Sequence, residues 1–400
     1  MRVVQINSVC GVGSTGRLAV DIQHGLEARG HQGYVVYGRG PASRSDWHIS
    51  IEDRLGTYGH MALTRLLDRH GFGSARATRR LINELEKLDP DVIHLHNVHG
   101  YYVNVQMLFD YLRTVKKPIV WTLHDCWAFT GHCAYFDYAG CDRWKVACYA
   151  CPEKRAYPSS VLMDNSSYNY KWKKRLFSGL DRLVIVTPSK WLGELVGESF
   201  LGQYPLAVIN NGVDTERFRP VESTFRALHG IENRFVVLGV ASVWSRRKGL
   251  EYLVRLAASL GNDAVIVIVG MTGKRKDAIP DRVISVNRTD SVDELVDIYS
   301  AADVFVNPTL EDNFPTTILE AMACGTPVVT FDSGGSAESV DKGCGIVVRR
   351  GDFEGLLSAV NTIKKKGKQA YSEYCVNRVK RCFDRELMVS RYMDLYGSVL

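Results

Sequence analysis

The stretch Thr309–Val329, TLEDNFPTTILEAMACGTPVV, constrains this chain more than any other. An apolar run, Asp303-Val-Phe-Val-Asn307, leads into a polar turn that carries Glu311, Asp312 and Asn313. Pro315-Thr-Thr-Ile-Leu-Glu-Ala-Met-Ala323 then reads as a short helix. Proline suits a first helical turn, and Gly325 with Pro327 stops the helix just past Cys324. Pro327-Val-Val-Thr-Phe331 is a second buried strand. Strand, loop, helix, strand is the repeating unit of a parallel α/β sheet, whose ligands bind in loops at the carboxyl ends of strands.

Asp312 in the loop and Glu320 on the helix have seven residues between them. Between these acids, backbone N–H groups around Phe314, Pro315, Thr316 and Thr317 open a helix and lack intrahelical partners, which suits a phosphate. A carboxylate on either side would take the vicinal hydroxyls of a sugar nucleotide. From spacing alone, a solvated loop followed by an exposed helix acid fits equally well.

The remaining chain repeats the alternation. Val3-Val-Gln-Ile-Asn7 is a strand running into Gly11-Val-Gly-Ser-Thr-Gly16 and a helix over Arg17–Arg29. That is a formal G-x-G-x-x-G, the signature of a dinucleotide site. The next strand ends in Gly38-Arg39-Gly40, with no acid for a ribose, so an oxidoreductase reading survives only with an arginine-held NADP. Region 44–90 reads as mostly helical and basic. Pro90–His96 and Ile119–Asp125 are buried strands that place His96 and His124 near carboxyl ends, where a lone histidine is often structural. Leu206–Asp214 closes a first domain, and the glycine of Asn211-Gly-Val-Asp214 suits a turn with positive φ. A strand over Phe235–Ala241 is followed by Ser242-Val-Trp-Ser-Arg-Arg-Lys-Gly249, whose cations precede a helix and are well placed for a diphosphate. Ala264–Gly270 and Arg282–Asn287 are further strands. At 400 residues the chain exceeds one ordinary core, so two domains are expected. The expected division is 1–205, 206–380 and a last helical segment, 381–400.

Glu320-Ala-Met-Ala-Cys-Gly-Thr-Pro-Val-Val329 resembles the acidic motif of retaining glycosyltransferases of family 4, although the first acid is Asp312 where the family has glutamate. The resemblance implies the GT-B fold: two Rossmann-like domains facing across a cleft, with a last helix returning to the first. It also implies metal-independent transfer, with retention, from a UDP- or GDP-linked sugar to a glycan or lipid-linked acceptor in capsule, exopolysaccharide or O-antigen assembly. Lys248 matches the family's diphosphate-neutralising lysine. The arginine usually five or six residues earlier is missing, and Arg246 or Arg247 is expected to replace it. The resemblance further gives Asp312 the sugar hydroxyls, Glu320 the ribose and His124 the reacting sugar; His96, from its place at a strand end, is a second candidate for binding substrate. Gly13 and Arg17 are implied near the donor phosphates or the acceptor. A non-catalytic sugar-nucleotide-binding subunit is the other alternative.

Residues 124–152 hold half of the ten cysteines. Cys133, Cys141, Cys148 and Cys151 form C-x7-C-x6-C-x2-C, a set that suits a structural zinc. Unliganded thiols and disulfides are the alternatives. The insert resembles one in colanic-acid and capsular-polysaccharide glycosyltransferases and is expected to shape acceptor binding. The net charge of +6 is too mild to suggest nucleic acid. Met1 opens directly onto a strand and there is no long apolar run, so a cytoplasmic protein is expected. The basic, aromatic segment Tyr168–Phe177 suits contact with the inner face of a membrane, or else a solvated helix with Trp172 and Phe177 turned inward.

Overall fold

The computed structural model describes residues 1–41, 45–271, 283–289 and 291–400. Arg44 and Arg282, with which two of the segments read from sequence begin, lie outside the described residues. The chain forms two compact units, Met1–Asn210 with Met388–Leu400, and Asn211–Leu387.

In the first unit, β1 (Arg2–Val9), β2 (Gln32–Arg39), β3 (His48–Ser50), β4 (Val92–Leu95), β5 (Ile119–Thr122), β6 (Leu183–Thr187) and β7 (Leu206–Val208) make one sheet. Their order is β3-β2-β1-β4-β5-β6-β7, every pairing being parallel. The crossovers carry α1 (Gly13–Glu27), α2 (Arg54–Leu67), α3 (Ala75–Leu88), α4 (Val105–Thr114), α5 (Ser166–Phe177) and α6 (Lys190–Glu198). Strands covered on both faces are mostly apolar, and β4 and β5 are buried at every position, their two polar side chains, His94 and Thr122, bonding to each other at 2.8 Å. The cysteine-rich insert joins this core through Trp127, Phe129, Phe136 and Trp144, all buried.

The second unit begins with α7 (Phe225–His229) and alternates β8 (Phe235–Val240), α8 (Leu250–Ser259), β9 (Ala264–Val269), β10 (Val283–Val286), α9 (Val292–Ala301), β11 (Val304–Asn307), α10 (Thr316–Ala323), β12 (Val328–Asp332) and β13 (Gly345–Arg349). Its sheet is parallel, in the order β10-β9-β8-β11-β12-β13. Then follow α11 (Phe353–Lys366), α12 (Gln369–Cys382) and α13 (Arg385–Val399). From Met388 onward, α13 belongs to the first unit, where Tyr392 and Tyr396 are buried. Both units are Rossmann-like.

The units divide a few residues from the boundaries read in the sequence, for local reasons. Leu206 pairs with Ile185, which keeps β7 in the first sheet. The Val213 N–H donates to Phe383 O at 2.9 Å and the Arg385 N–H to Val213 O at 2.9 Å, which ties the start of α13 to the second unit. Gly212 lies here, and its role differs from the expected positive-φ turn. It is absent from the positive-φ glycines, and a Cβ on it would come within 2.8 Å of Arg385 Cα. Close backbone approach is what demands glycine.

Candidate active site

The order of the second sheet reverses between β8 and β11, the point at which open α/β sheets form their ligand crevice. Leaving β8, the chain makes a tight turn in which the Lys248 N–H donates to Ser245 O (3.1 Å) and the Gly249 N–H to Arg246 O (3.0 Å). Gly249 has φ +73°, and an added Cβ would sit 2.0 Å from Pro308 O. The turn is therefore pressed against the loop leaving β11, and only glycine fits. The Leu310 N–H donates to Arg247 O at 2.7 Å and locks the two loops together.

That contact brings three charges into one place. Lys248 Nζ donates to Asp312 Oδ2 at 2.5 Å, and Arg247 Nη1 lies 3.9 Å from Asp312 Oδ1. Arg247 also donates to the carbonyl of Glu311. Burial pushes the Lys248 amine down from its ordinary pKa, and Asp312 pulls part of that back. Burial pushes Asp312 up, but Lys248 and Arg247 outweigh it and hold the carboxyl below the usual range. Two cations thus converge on the one carboxylate of Asp312. Of the two arginines expected to replace the family's missing one, Arg247 faces the acid, whereas Arg246 is exposed. Glu311, one residue out of register, is fully buried, and the ion pairs with Lys248 and Arg247 are made by Asp312.

α10 begins at this cluster. The Asn313 N–H donates to Asp312 Oδ1 (3.1 Å), and Asn211 Nδ2 donates to Phe314 O (2.9 Å), fixing the approach to the helix. Pro315 takes the position before the helix and carries no N–H, so the half-buried Thr316 and Thr317 supply the first helical donors. The Gly335 N–H donates to Asp312 O at 3.0 Å, bringing the 333–335 loop against the acid. Glu320 is only 2 % exposed, and one of its oxygens accepts the Tyr299 hydroxyl at 3.0 Å. Tyr299 has no special signature in the sequence beyond its place on the apolar face of α9.

In the first unit, His124 and His96 come together. Their rings stack at 5.3 Å, and His124 Nε2 is 3.1 Å from His96 Nδ1. His96 Nε2 is 3.0 Å from Gln5 Oε1, and Gln5 Nε2 donates to Ala19 O at 2.8 Å. This chain fixes the tautomers. The carbonyl of Ala19 can only accept, so Gln5 turns its oxygen to His96 and His96 Nε2 must donate. His96 Nδ1 then accepts from His124 Nε2–H, which leaves His124 Nδ1 as a lone pair. Burial lowers the His124 pKa to about 4 and strongly lowers that of His96, so both rings are neutral at physiological pH. A neutral acceptor suits a sugar hydroxyl and not a phosphate. Gln5 was readable only as a polar residue inside the apolar run Val3–Ile6.

Gly13 is the exposed first residue of α1, with φ +65°, and Arg17 lies one turn on, half-buried. β2 ends in Arg39, whose guanidinium sits 5.8 Å from the Tyr101 ring, and offers no acid for a ribose.

The four cysteines expected to hold zinc line one small cavity of about 10 Å³ together with His132. Among the described residues, however, no three His, Cys, Asp or Glu side chains assemble as a ligand set. The sulfurs are engaged separately. Cys133 hydrogen-bonds to Cys151, the Cys148 sulfur accepts the Gly131 N–H at 3.1 Å, and Cys141 is half-buried at the rim. The donor set suits zinc in kind but is not arranged as one.

Residues 15–217 match the profile of Glycosyltransferase Family 4, and residues 234–365 match that of glycosyl transferases group 1. The chain belongs to glycosyltransferase family 4, and its two Rossmann-like units are those of the GT-B fold. It is 27 % identical, over the full length of both chains, to the colanic acid biosynthesis glycosyl transferase WcaC of Escherichia coli K12. It is 25 % identical, over 57 % of this chain and 63 % of the other, to an Escherichia coli UDP-Gal:alpha-D-GlcNAc-diphosphoundecaprenol alpha-1,3-galactosyltransferase. Among solved structures, Anabaena HepE in complex with UDP-glucose superposes with a TM-score of 0.68 at 16 % identity, covering 100 % of both chains. Sucrose-phosphate synthase of Thermosynechococcus elongatus superposes with a TM-score of 0.76 at 18 % identity, covering 100 % of this chain and 99 % of the other.

Proposed function

We propose that this glycosyltransferase moves a sugar, with retention, from a UDP- or GDP-linked donor to a glycan or lipid-linked acceptor in exopolysaccharide, capsule or O-antigen assembly. The observation that carries the reading is the Lys248–Asp312 pair, with Arg247 beside it, at the start of α10. The leaving group is a nucleoside diphosphate, and negative charge grows on its β-phosphate as the C1–O bond breaks. Lys248, Arg247 and the Thr316 and Thr317 N–H groups are assigned to that charge, which fixed donors in a partly buried site stabilise strongly. In this reading Asp312 takes hydroxyls of the transferred sugar and Glu320 those of the ribose. His124 is assigned to the reacting sugar. The acceptor oxygen attacks C1 on the face the diphosphate leaves, and its proton passes to the departing phosphate oxygen. Gly13, Arg17 and the cysteine-rich insert are assigned to the acceptor.

Related proteins support the donor and acceptor classes. One is named as using UDP-Gal and a diphosphoundecaprenol-linked sugar, and another was crystallised with UDP-glucose. A lipid-linked acceptor places the protein at the inner face of the membrane. Among the described residues, no helix is long and apolar enough to cross one.

The test follows nucleoside diphosphate release and product anomer across a panel of UDP- and GDP-sugars, with and without EDTA. Release with the donor's anomeric configuration kept, insensitive to chelation, is expected. An inverted product removes retention, chelator-sensitive turnover removes metal independence, and no release from any donor removes the donor assignment.

A further inference from the structure

α2 is amphipathic with its polar face inward. Its buried residues are His60 and Thr64. His60 is held there by Ser74 Oγ (3.0 Å) and by the Gly71 N–H, which donates to its Nε2 at 2.9 Å. Leu55, Tyr58, Ala62 and Leu66 fall at i, i+3, i+7 and i+11, so they share one side of the helix. That side faces water: Leu55 is 81 % exposed, Tyr58 69 % and Leu66 49 %.

A second apolar segment lies against the end of this helix. The Val161 N–H donates to Arg65 O (2.8 Å) and the Met163 N–H to Leu66 O (3.2 Å). These bonds set Val161, Leu162 and Met163, all exposed, beside Leu66 and Leu67. Seven large apolar side chains thus gather on one surface of the first unit, the kind of patch that marks an interaction site.

The surrounding charge identifies the partner. Arg54, Arg65 and Arg155 are exposed, and Arg69 stacks on Tyr168 at 4.7 Å. The neighbouring acids are engaged within the protein. Glu52 pairs with Arg54 (3.5 Å), Asp53 caps α2 through the Gly56 N–H (3.1 Å), and Asp68 is buried against His132. Asp164 accepts from the N–H groups of Cys151 and Ser166. In the segment Tyr168–Phe177, read from sequence as meeting lipid or as packed inward, Phe177 is fully buried and Trp172 half-buried against Phe72, while Tyr168 stays exposed under Arg69.

We infer that the outer face of α2 together with Val161–Met163 is the docking surface for an anionic lipid bilayer. Leucines and a tyrosine enter the headgroup boundary, and the arginines meet lipid phosphates. The inference rests on the lipid-linked acceptor proposed above and gives that reading a place on the molecule.

The test is co-sedimentation of the full chain with vesicles of phosphatidylcholine, with and without phosphatidylglycerol. The variants are Leu66→Asp with Leu162→Asp, and separately the single Leu162→Ser. Wild type should bind the anionic vesicles, less so in high salt, and the double variant should bind about tenfold less. Donor hydrolysis and the thermal midpoint should be unchanged, because these side chains already face water. Wild type failing to bind anionic vesicles, or variants binding as well as wild type, overturns the inference. So does a dimer that the same substitutions dissociate, which would make the face a contact between copies. Vesicle binding without turnover on any donor would leave the surface standing and remove the enzymatic reading.

Discussion

The charge cluster of the second unit and the histidine cluster of the first bury their ionisable groups in opposite ways. In the second unit, Lys248, Arg247 and Asp312 are packed together and the acid is held ionised by its neighbours. In the first, burial wins at the histidine cluster: His94 is pushed to about 3 and His124 to about 4, His96 is strongly lowered, and the buried Lys173 falls to about 7. One cluster preserves charge at the price of desolvation; the other gives charge up. A departing diphosphate needs the first arrangement, and an uncharged sugar hydroxyl is better met by the second.

Removing a charge on one side should therefore hurt more than removing a ring on the other. Lys248→Ala is expected to lower kcat/KM about 10²–10³-fold with an unchanged thermal midpoint, the scale of losing one fixed donor to a developing anion. His124→Ala, which removes a neutral acceptor, is expected to cost about tenfold. Equal losses would end the contrast. Next comes the choice of arginine. Arg247→Ala should lower turnover by about tenfold or more, whereas exposed Arg246 should tolerate alanine within about twofold. The reverse ranking would move the diphosphate to the other side of the turn.

The neutral side can be sharpened by a double-mutant cycle. Gln5 touches no substrate in this reading and acts by fixing tautomers, so it is a positioning residue. Gln5→Leu should lower kcat roughly tenfold with little change in KM, because His96 and His124 lose their fixed donor and acceptor roles. On a His124→Ala background the effect should vanish. An undiminished effect there would make Gln5 merely structural.

How much of this was readable in advance follows from where the information sits. Both parallel sheets were legible because doubly covered strands are near-continuous apolar runs, as in Ala264–Val269 and Ile119–Trp121. Lys248 and Asp312 were legible because glycine and proline spacing fixes where each loop ends. The choice of Arg247 over Arg246 was not, since a turn residue's direction depends on the Arg247 carbonyl meeting the Leu310 N–H from a distant loop. The outward apolar face of α2 was hidden for a related reason. Periodicity shows that one side is apolar but not which way it points, and here His60 bonds to Ser74 and Gly71 turn the polar side in.

The smallest effect tests the buried lysine. Lys173 Nζ donates to Trp127 O (2.7 Å) and Thr130 O (3.0 Å) and lies 3.4 Å from the Trp127 ring centroid. Burial, the largest influence, lowers its pKa to about 7, with only partial relief from Cys148 and Asp68. The unfolded chain keeps this amine protonated to about pH 10.4. Between the two values the unfolded state holds a proton that the native state has released, so this group makes the protein more stable as pH rises. Below pH 7 the amine is charged in both states and its contribution is flat, at its least favourable. Chemical denaturation from pH 7 to 9 should show wild type gaining stability relative to Lys173→Met, by up to ~1.4 kcal/mol per pH unit. Subtracting the variant removes the titration of every other group, so parallel curves would mean that Lys173 keeps its proton, and with it a buried charge, in the native fold.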